Sequence, residues 1–412
     1  MPLPVIKSID SKLTLKPTVS ADPWFFTNCS INPYRGCQFD CSYCDGKAHF
    51  YNIDNFSSLI RSKNNFPKLL AKELLRLGYK RQSGKKQSLL NSFVNTKSPL
   101  EFKKPKKFIL SVGGGVTDCY QPIEKDNKVM RSIIKVLIDF EIPSFFLTKS
   151  SLIARDLDLI GELNDRCYAS INFSCAFKDG SDKSIHEPYS SSIAKRFDTL
   201  EKFTESNITC GVLAMPILPF IADTDEVLEY LVKRAKETKA KYILTAGLTL
   251  KPGNREEFLS KIITHYPELV EKYKRIFPEN NTYGIPKVTS HIVNVTAKAH
   301  VLCSKYSIYP RVKRYIPEGC NIDNYTFTEK AWYIHYLKKW VLNDCSYSLD
   351  NNFKDLATTI DSLPYSIQSL TSDEFSKFIQ NYPPYLQSLA SDLFENGESK
   401  ERKRLEELIL QT

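Results

Sequence analysis

Three cysteines crowd into eight residues, Cys37-Gln-Phe-Asp-Cys41-Ser-Tyr-Cys44. Thiols this close in sequence can converge on one metal centre. A structural zinc takes four ligands, often as two distant CxxC pairs. This chain has no second CxxC, and His49 is the nearest fourth ligand on offer. A [4Fe–4S] cluster is held by thiolates, four as a rule. Three would leave one iron open, and an open position marks a catalytic rather than a structural metal, by the logic that holds for zinc. The other cysteines (Cys29, Cys119, Cys167, Cys175, Cys210, Cys303, Cys320 and Cys345) are scattered and read mostly as small buried hydrophobes.

The elements that must position this loop follow one rhythm: a β-rich run, a loop, then a helical pattern. Strands are expected at Phe25–Asn32, Phe108–Val112, Ser144–Thr148, Cys167–Ser174, Ile208–Ile217 and Tyr242–Leu250. Helices are expected at Pro67–Leu77, Asn127–Phe140, through Leu152 to Ile160, near Ser192–Ser206, and from Asp223, which reads as an N-cap. Such alternation indicates βαβ units on a parallel sheet. It leaves open a partial (β/α)6 barrel or a doubly wound sheet, and in both the reactive groups lie at the C-terminal ends of the strands. The three-Cys loop follows the first strand. Gly113, Gly114 and Gly115 end the second, where their backbone can approach a ligand closely. Lys149 ends the third and faces the mouth. Ser170, Asn172 and Ser174 alternate on the fourth, so they share one face, as a polar lumen would require.

The organisation reads as an extended lead-in (1–23), an α/β core (24–254) interrupted by a basic insertion (80–107), a helical extension (255–320) and a C-terminal helical tail (321–412) ending in the charged helix Ser399–Leu410. With 42% hydrophobic and 25% charged residues the chain is globular in composition, which excludes wholesale disorder. No apolar run reaches membrane-spanning length, so no membrane partner is expected. The first sixteen residues lack a signal-like apolar stretch. Eleven cysteines without such a signal argue against a disulfide framework and for the cytoplasm. Between Lys80 and Lys107 nine basic residues stand against one acid, Glu101, so this segment carries +8 of the chain's +10. It is either a solvated insertion or an attractor of phosphate backbones.

A resemblance enters here. CxxxCxxC after the first strand of a (β/α)6 pattern resembles the radical S-adenosylmethionine (SAM) superfamily. The words "NPYRGCQFDCSYCD", "VTDCYQPIEK", "LTKSSLIARDLDLI", "MPILPFIADTDE" and "LTLKPGNREEF", in this order, resemble its spore photoproduct lyase-like (DNA repair photolyase-like) family over about Trp24 to Tyr309. The resemblance implies a partial TIM-like (β/α)6 barrel of the radical SAM type with a C-terminal helical appendage. It implies that Cys37, Cys41 and Cys44 bind three irons of a [4Fe–4S] cluster. The fourth iron takes the amino and carboxylate groups of SAM, and one electron then cleaves SAM to a hydrogen-abstracting 5′-deoxyadenosyl radical. A reductant of flavodoxin or ferredoxin type is the implied partner. Tyr43 is placed near SAM, Gly113–Gly115 at its amino group, Thr117 facing it, Lys149 on its carboxylate, Ser170 on SAM and Asn172 in the lumen near SAM or substrate. Asp118, Glu187 (in His186-Glu187-Pro188) and Arg255 are the substrate-side candidates.

One departure is visible. Family members that repair the photoproduct use a cysteine hydrogen donor three residues before the aspartate matching Asp118, and Gly115 stands there. Cys119 is either a displaced donor or a small buried residue. The expected function is therefore radical SAM hydrogen abstraction, with nucleic acid (DNA or RNA, drawn by residues 80–107) as substrate. The alternatives are radical SAM modification of a protein side chain or small molecule, or a non-catalytic metal-containing nucleic-acid-binding protein. No dinucleotide fingerprint supports a light-driven, flavin-dependent photolyase.

Overall fold

The protein is seen in a computed structural model that describes residues 4–13, 15–18, 21–82, 108–114, 116–287, 290–341 and 347–411. Gly115 and all of the basic segment beyond Gln82 lie outside the described residues.

Among the described residues nine strands form: β1 (Val5–Ser8), β2 (Cys29–Ile31), β3 (Tyr34–Arg35), β4 (Leu59–Ser62), β5 (Leu110–Val112), β6 (Ser144–Thr148), β7 (Ala169–Ser174), β8 (Thr209–Ile217) and β9 (Tyr242–Gly247). Six pair in parallel in the order β2-β5-β6-β7-β8-β9. Each expected strand is present, several trimmed at their ends. A doubly wound sheet reverses its strand order at a switch point. Here the order simply follows the chain, which is the winding of a partial barrel. The expected fold class is thereby met.

Helices return the chain between strands. Val129–Phe140 buries Met130, Ile133, Ile134, Leu137 and Ile138 at three- and four-residue spacing. The helix Asp225–Glu237 is capped by Thr224, whose hydroxyl accepts from the Val227 N–H. The expected cap, Asp223, sits one residue too early: the side chain that accepts at N3 belongs to Thr224.

The inner face of the sheet is closed from below by the C-terminal helices. Helix Ile322–Val341 is buried without a break from Ala331 to Leu337, as a helix surrounded on all sides must be. Its Trp332, Ile334 and Leu337 share one hydrophobic core with Phe145, Leu213, Tyr242 and Leu244 of the strands. The two edges of the sheet are tied there as well. Tyr309 bridges to Tyr242 beside β9. Buried Arg311 donates to the Pro23 carbonyl on the approach to β2 and lies over the rings of Phe26 and Tyr336.

A second, three-stranded sheet, β1-β4-β3, flanks the cysteine loop. It was not expected: β1 lies in what reads as an extended lead-in, and a four-residue strand carries little periodic signal. Among the described residues no helix is long and apolar enough to cross a membrane.

Candidate functional site

At the C-terminal ends of the parallel strands lies a cavity of about 300 Å³. Cys37, Cys41 and Cys44 line it, together with Tyr43, Gly114, Thr117, Asp118 and Lys149. Its remaining walls are largely apolar, from Phe25, Phe39, Leu147, Met215, Pro216 and Leu248.

The cysteine loop is held by groups outside the cavity. Gln121, fully buried, accepts from the Gln38 N–H at 2.9 Å and donates to the Gly36 carbonyl at 3.1 Å. The Ser42 N–H donates to the His186 carbonyl at 3.0 Å, and the Ser42 hydroxyl pairs with His186 Nδ1 at 2.7 Å. Asn254 donates to the Tyr43 carbonyl at 3.2 Å. Lys47 ties the loop to Asp40 and Glu257. Of these residues only His186 was singled out in the sequence, and as a neighbour of Glu187. The polar residues Gln121 and Asn254 lie inside the recognised words, but nothing in their type marks a loop anchor.

Burial raises the pKa of all three thiols, most strongly Cys37 and Cys41. Lys149 works the other way on Cys41 and Cys44. Thiols kept neutral by burial become thiolates when a metal centre takes up their charge. The donor set therefore suits an iron–sulfur group. Among the described residues no three His, Cys, Asp or Glu side chains gather closely enough to hold a single metal ion. A lone zinc needs ligands about 4 Å apart, whereas a cluster takes one thiolate per iron.

Lys149 reaches the cavity from the end of β6. Its ammonium donates to the Ser174 hydroxyl, lies 3.4 Å from Glu187 and 5.6 Å from the centre of the Tyr43 ring. Glu187 also pairs with fully buried Arg196 and accepts from the Tyr43 hydroxyl. Burial pushes the Glu187 pKa up, but Arg196 and then Lys149 overcome it and hold the carboxylate well below its usual range. Two cations thus share Glu187, so the Lys149 ammonium is only partly neutralised by it and can be offered to a carboxylate ligand. Asp118 accepts from the Thr148 hydroxyl and the Lys149 N–H, both at 2.7 Å, so it fixes the end of β6; burial raises its pKa. Gly114 has φ +83°, and a Cβ there would meet Leu147 at 2.7 Å, so the loop over the cavity needs glycine.

Several expected site residues lie elsewhere. Cys119 does not line the cavity. Its thiol is buried 3.9 Å from Asn32 Oδ1, behind Gly113, and burial raises its pKa well above normal. Its burial here matches the second of the two readings in placement. Gly113 adopts φ +81° on the same turn without lining the cavity. Ser170 and Asn172 do face the lumen, but below the cavity, where they bond each other and the Tyr242 hydroxyl. Of that polar face only Ser174 reaches the cavity. Glu187 is neither solvated nor a mouth residue; it is the buried partner of Arg196. Arg255 is buried and donates to the Phe277 carbonyl at 2.9 Å, so it anchors the chain after the helix Val270–Ile276. His49 is exposed, with its backbone on Pro252, and lines no part of the cavity.

No family model matches the chain. The uncharacterized protein Rv2578c of Mycobacterium tuberculosis is 26% identical over 272 residues, 65% of this chain and 71% of its own. The uncharacterized protein MJ0683 of Methanocaldococcus jannaschii is 30% identical over 245 residues, 58% of this chain and 77% of its own. This chain belongs to the family of MJ0683. Among solved structures, spore photoproduct lyase complexed with the dinucleoside spore photoproduct matches with a TM-score of 0.53 at 13% identity, over 76% of this chain and 82% of that one. A mutant of that enzyme with bound AdoMet and the same dinucleoside matches with a TM-score of 0.51 over the same shares. This chain therefore has the fold of spore photoproduct lyase, and the resemblance to the radical SAM proteins of that group is met at the level of the fold.

Proposed function

We propose that this chain is a radical SAM enzyme in which Cys37, Cys41 and Cys44 hold a [4Fe–4S] cluster and the cavity takes SAM and the reacting part of a substrate. The observation that carries this reading is the convergence of three thiols, a cation and a glycine-lined turn on one cavity at the strand ends. When bound, the cluster and SAM supply an electron-driven cleavage that yields methionine and a hydrogen-abstracting 5′-deoxyadenosyl radical. The chain's own residues bind, orient and shield. Lys149 is offered to the SAM carboxylate, with Glu187 and Arg196 holding its position. Leu147, Met215 and Leu248 exclude water, which would otherwise bring competing reactions. Gln121 and His186 hold the cysteine loop.

The test is anaerobic. Protein reconstituted with iron and sulfide, reduced with dithionite and given SAM is expected to form 5′-deoxyadenosine, and Cys41→Ala is expected to abolish it. A cluster of about four irons without that product would leave a metal-binding protein only.

Nucleic acid is the substrate class favoured here. The fold is that of a lyase solved with a dinucleoside photoproduct, and the basic segment 80–107 suits a phosphate backbone. Affinity for DNA is expected to fall steeply with salt, and deletion of residues 82–103 to flatten that slope; unchanged binding after the deletion would remove the idea. A second reading, in which the substrate is a protein side chain or small molecule, has one observation behind it. Among the described residues the thiols lining the cavity are those of the cysteine loop alone, so the photoproduct repair reaction lacks its cysteine donor.

A further inference from the structure

The small sheet β1-β4-β3 carries an unbalanced row of charge. In its register Lys7 stands beside Arg61, and Arg61 beside Arg35. Partners in register point to the same face, with strands about 5 Å apart. Ile60, Ser62 and Tyr34 point inward and are buried, while Lys7 and Arg35 are exposed and Arg61 is half-buried. Like charges set directly opposite one another destabilise a sheet. Among the described residues none of the three makes an ion pair, whereas Lys47, farther along the cysteine loop, makes two. Arg35 and Arg61 bond backbone carbonyls instead.

This row adjoins the cysteine loop. Arg35 lies two residues before Cys37, and the Cys37 N–H donates to the Phe56 carbonyl on the approach to β4. Apolar groups stand beside the cations. Val5, on the same face one pair along the ladder, is 64% exposed, and Phe50, packed on Tyr51, is 85% exposed. Arg35 holds the Tyr51 and Asn52 carbonyls.

We infer that this face docks an acidic one-electron carrier protein, of flavodoxin or ferredoxin type, that reduces the cluster. The inference rests on the radical SAM reading above. The transfer is one electron: the reduced carrier loses it, the oxidised cluster gains it, and no bond forms or breaks. Electron transfer falls off steeply with distance, so a carrier has to dock close to the cysteine loop. Exposed apolar side chains beside cations suit a protein partner with an acidic rim, since interfaces combine an apolar centre with polar edges and charge complementarity sets the encounter rate. A phosphate backbone would use the cations and leave Val5 and Phe50 in water.

The experiment measures binding of a purified acidic flavodoxin to the full-length reconstituted protein, as wild type and as Lys7→Glu/Arg61→Glu. Arg35 is kept, because it braces the loop after the cysteines. The double reversal is expected to weaken flavodoxin binding at least about tenfold, and raised salt is expected to weaken the wild-type complex. SAM cleavage driven by dithionite, which needs no docking, is expected to be unchanged. Lys7→Gln/Arg61→Gln, which perturbs the sheet less, is expected to give a smaller loss in the same direction. Equal affinity of wild type and both variants overturns the inference, and so does a loss of DNA binding with flavodoxin binding intact, which makes the face a nucleic-acid contact. Wild type that binds flavodoxin but never cleaves SAM with dithionite upholds the docking face and removes the radical SAM reading instead.

Discussion

The upper and lower halves of the sheet's inner face are built from the same strands and do opposite things. β6 gives Phe145 to the lower half and Leu147 to the upper; β8 gives Leu213 below and Met215 above; β9 gives Tyr242 and Leu244 below and Ala246 above. Below, aromatic and aliphatic side chains from the C-terminal helices fill the space. Above, thiols and Lys149 border an open cavity. Strand alternation decides which face a residue occupies, but height along the strand decides whether it meets a ligand or a core. If the two halves are separable, damage below should reach stability and spare chemistry, and damage above should do the reverse.

The largest effect is expected below. Ile334 is fully buried in the shared core. Ile334→Ala should cost about 3 kcal/mol in urea unfolding, with the rate of SAM cleavage per folded molecule retained. A parallel loss of SAM affinity would show that the floor and the cavity form one unit.

A second effect tests the side wall. His186, buried among Phe177, Phe258 and Tyr266, has its pKa lowered to about 4, chiefly by burial. The folded protein keeps it neutral while the unfolded chain takes up a proton near 6.5. Stability is therefore full above that pH and falls on acidification toward pH 4, by up to about 3 kcal/mol. Denaturant unfolding at pH 7.5 and pH 5 should show this loss, and His186→Asn should remove it. A slope that survives the substitution would assign it to another group.

Above the floor, Lys149→Met should leave stability nearly unchanged, since Glu187 keeps Arg196. SAM affinity should fall by about 2 kcal/mol, roughly thirtyfold, the worth of a hydrogen bond to a charged group. Equilibrium binding of SAM measures it directly. Unaltered affinity would mean that another group receives the carboxylate.

What the sequence made legible follows from the range of the signals. The strand and helix pattern is local, and it placed all six parallel strands and the loop with Cys37, Cys41 and Cys44. Lys149 was legible because its place at the end of a strand brings it to the mouth, whereas Thr117 came only with the family resemblance. Three things depended on contacts between separate elements. The pairing of β1 with β4 joins residues more than fifty apart. Glu187 reads as a mouth residue until Arg196, on the next helix, turns it inward. The sealing of the lumen by helix Ile322–Val341 has no counterpart in the strand pattern, so the depth of Ser170 and Asn172 could not be read from their alternation.

Those two residues give the finest test. Alternation puts Ser170 on the lumen face and the resemblance puts it on SAM, yet in the structure its hydroxyl meets the Tyr242 hydroxyl at 3.2 Å and Asn172 at 3.1 Å, beneath the cavity. The Tyr242 ring reaches Asn172 across Gly211, where a Cβ would lie 2.0 Å from the ring. With the Phe146 carbonyl, which accepts from Asn172 at 3.2 Å, the network forms a hydrogen-bonded polar patch within an apolar floor. Ser170→Ala should cost about 1 kcal/mol for the lost bonds and leave SAM affinity within about twofold, a difference of only ~0.4 kcal/mol. A larger loss of affinity at unchanged stability would move Ser170 from the floor to the cavity and restore the role that the resemblance implies for it.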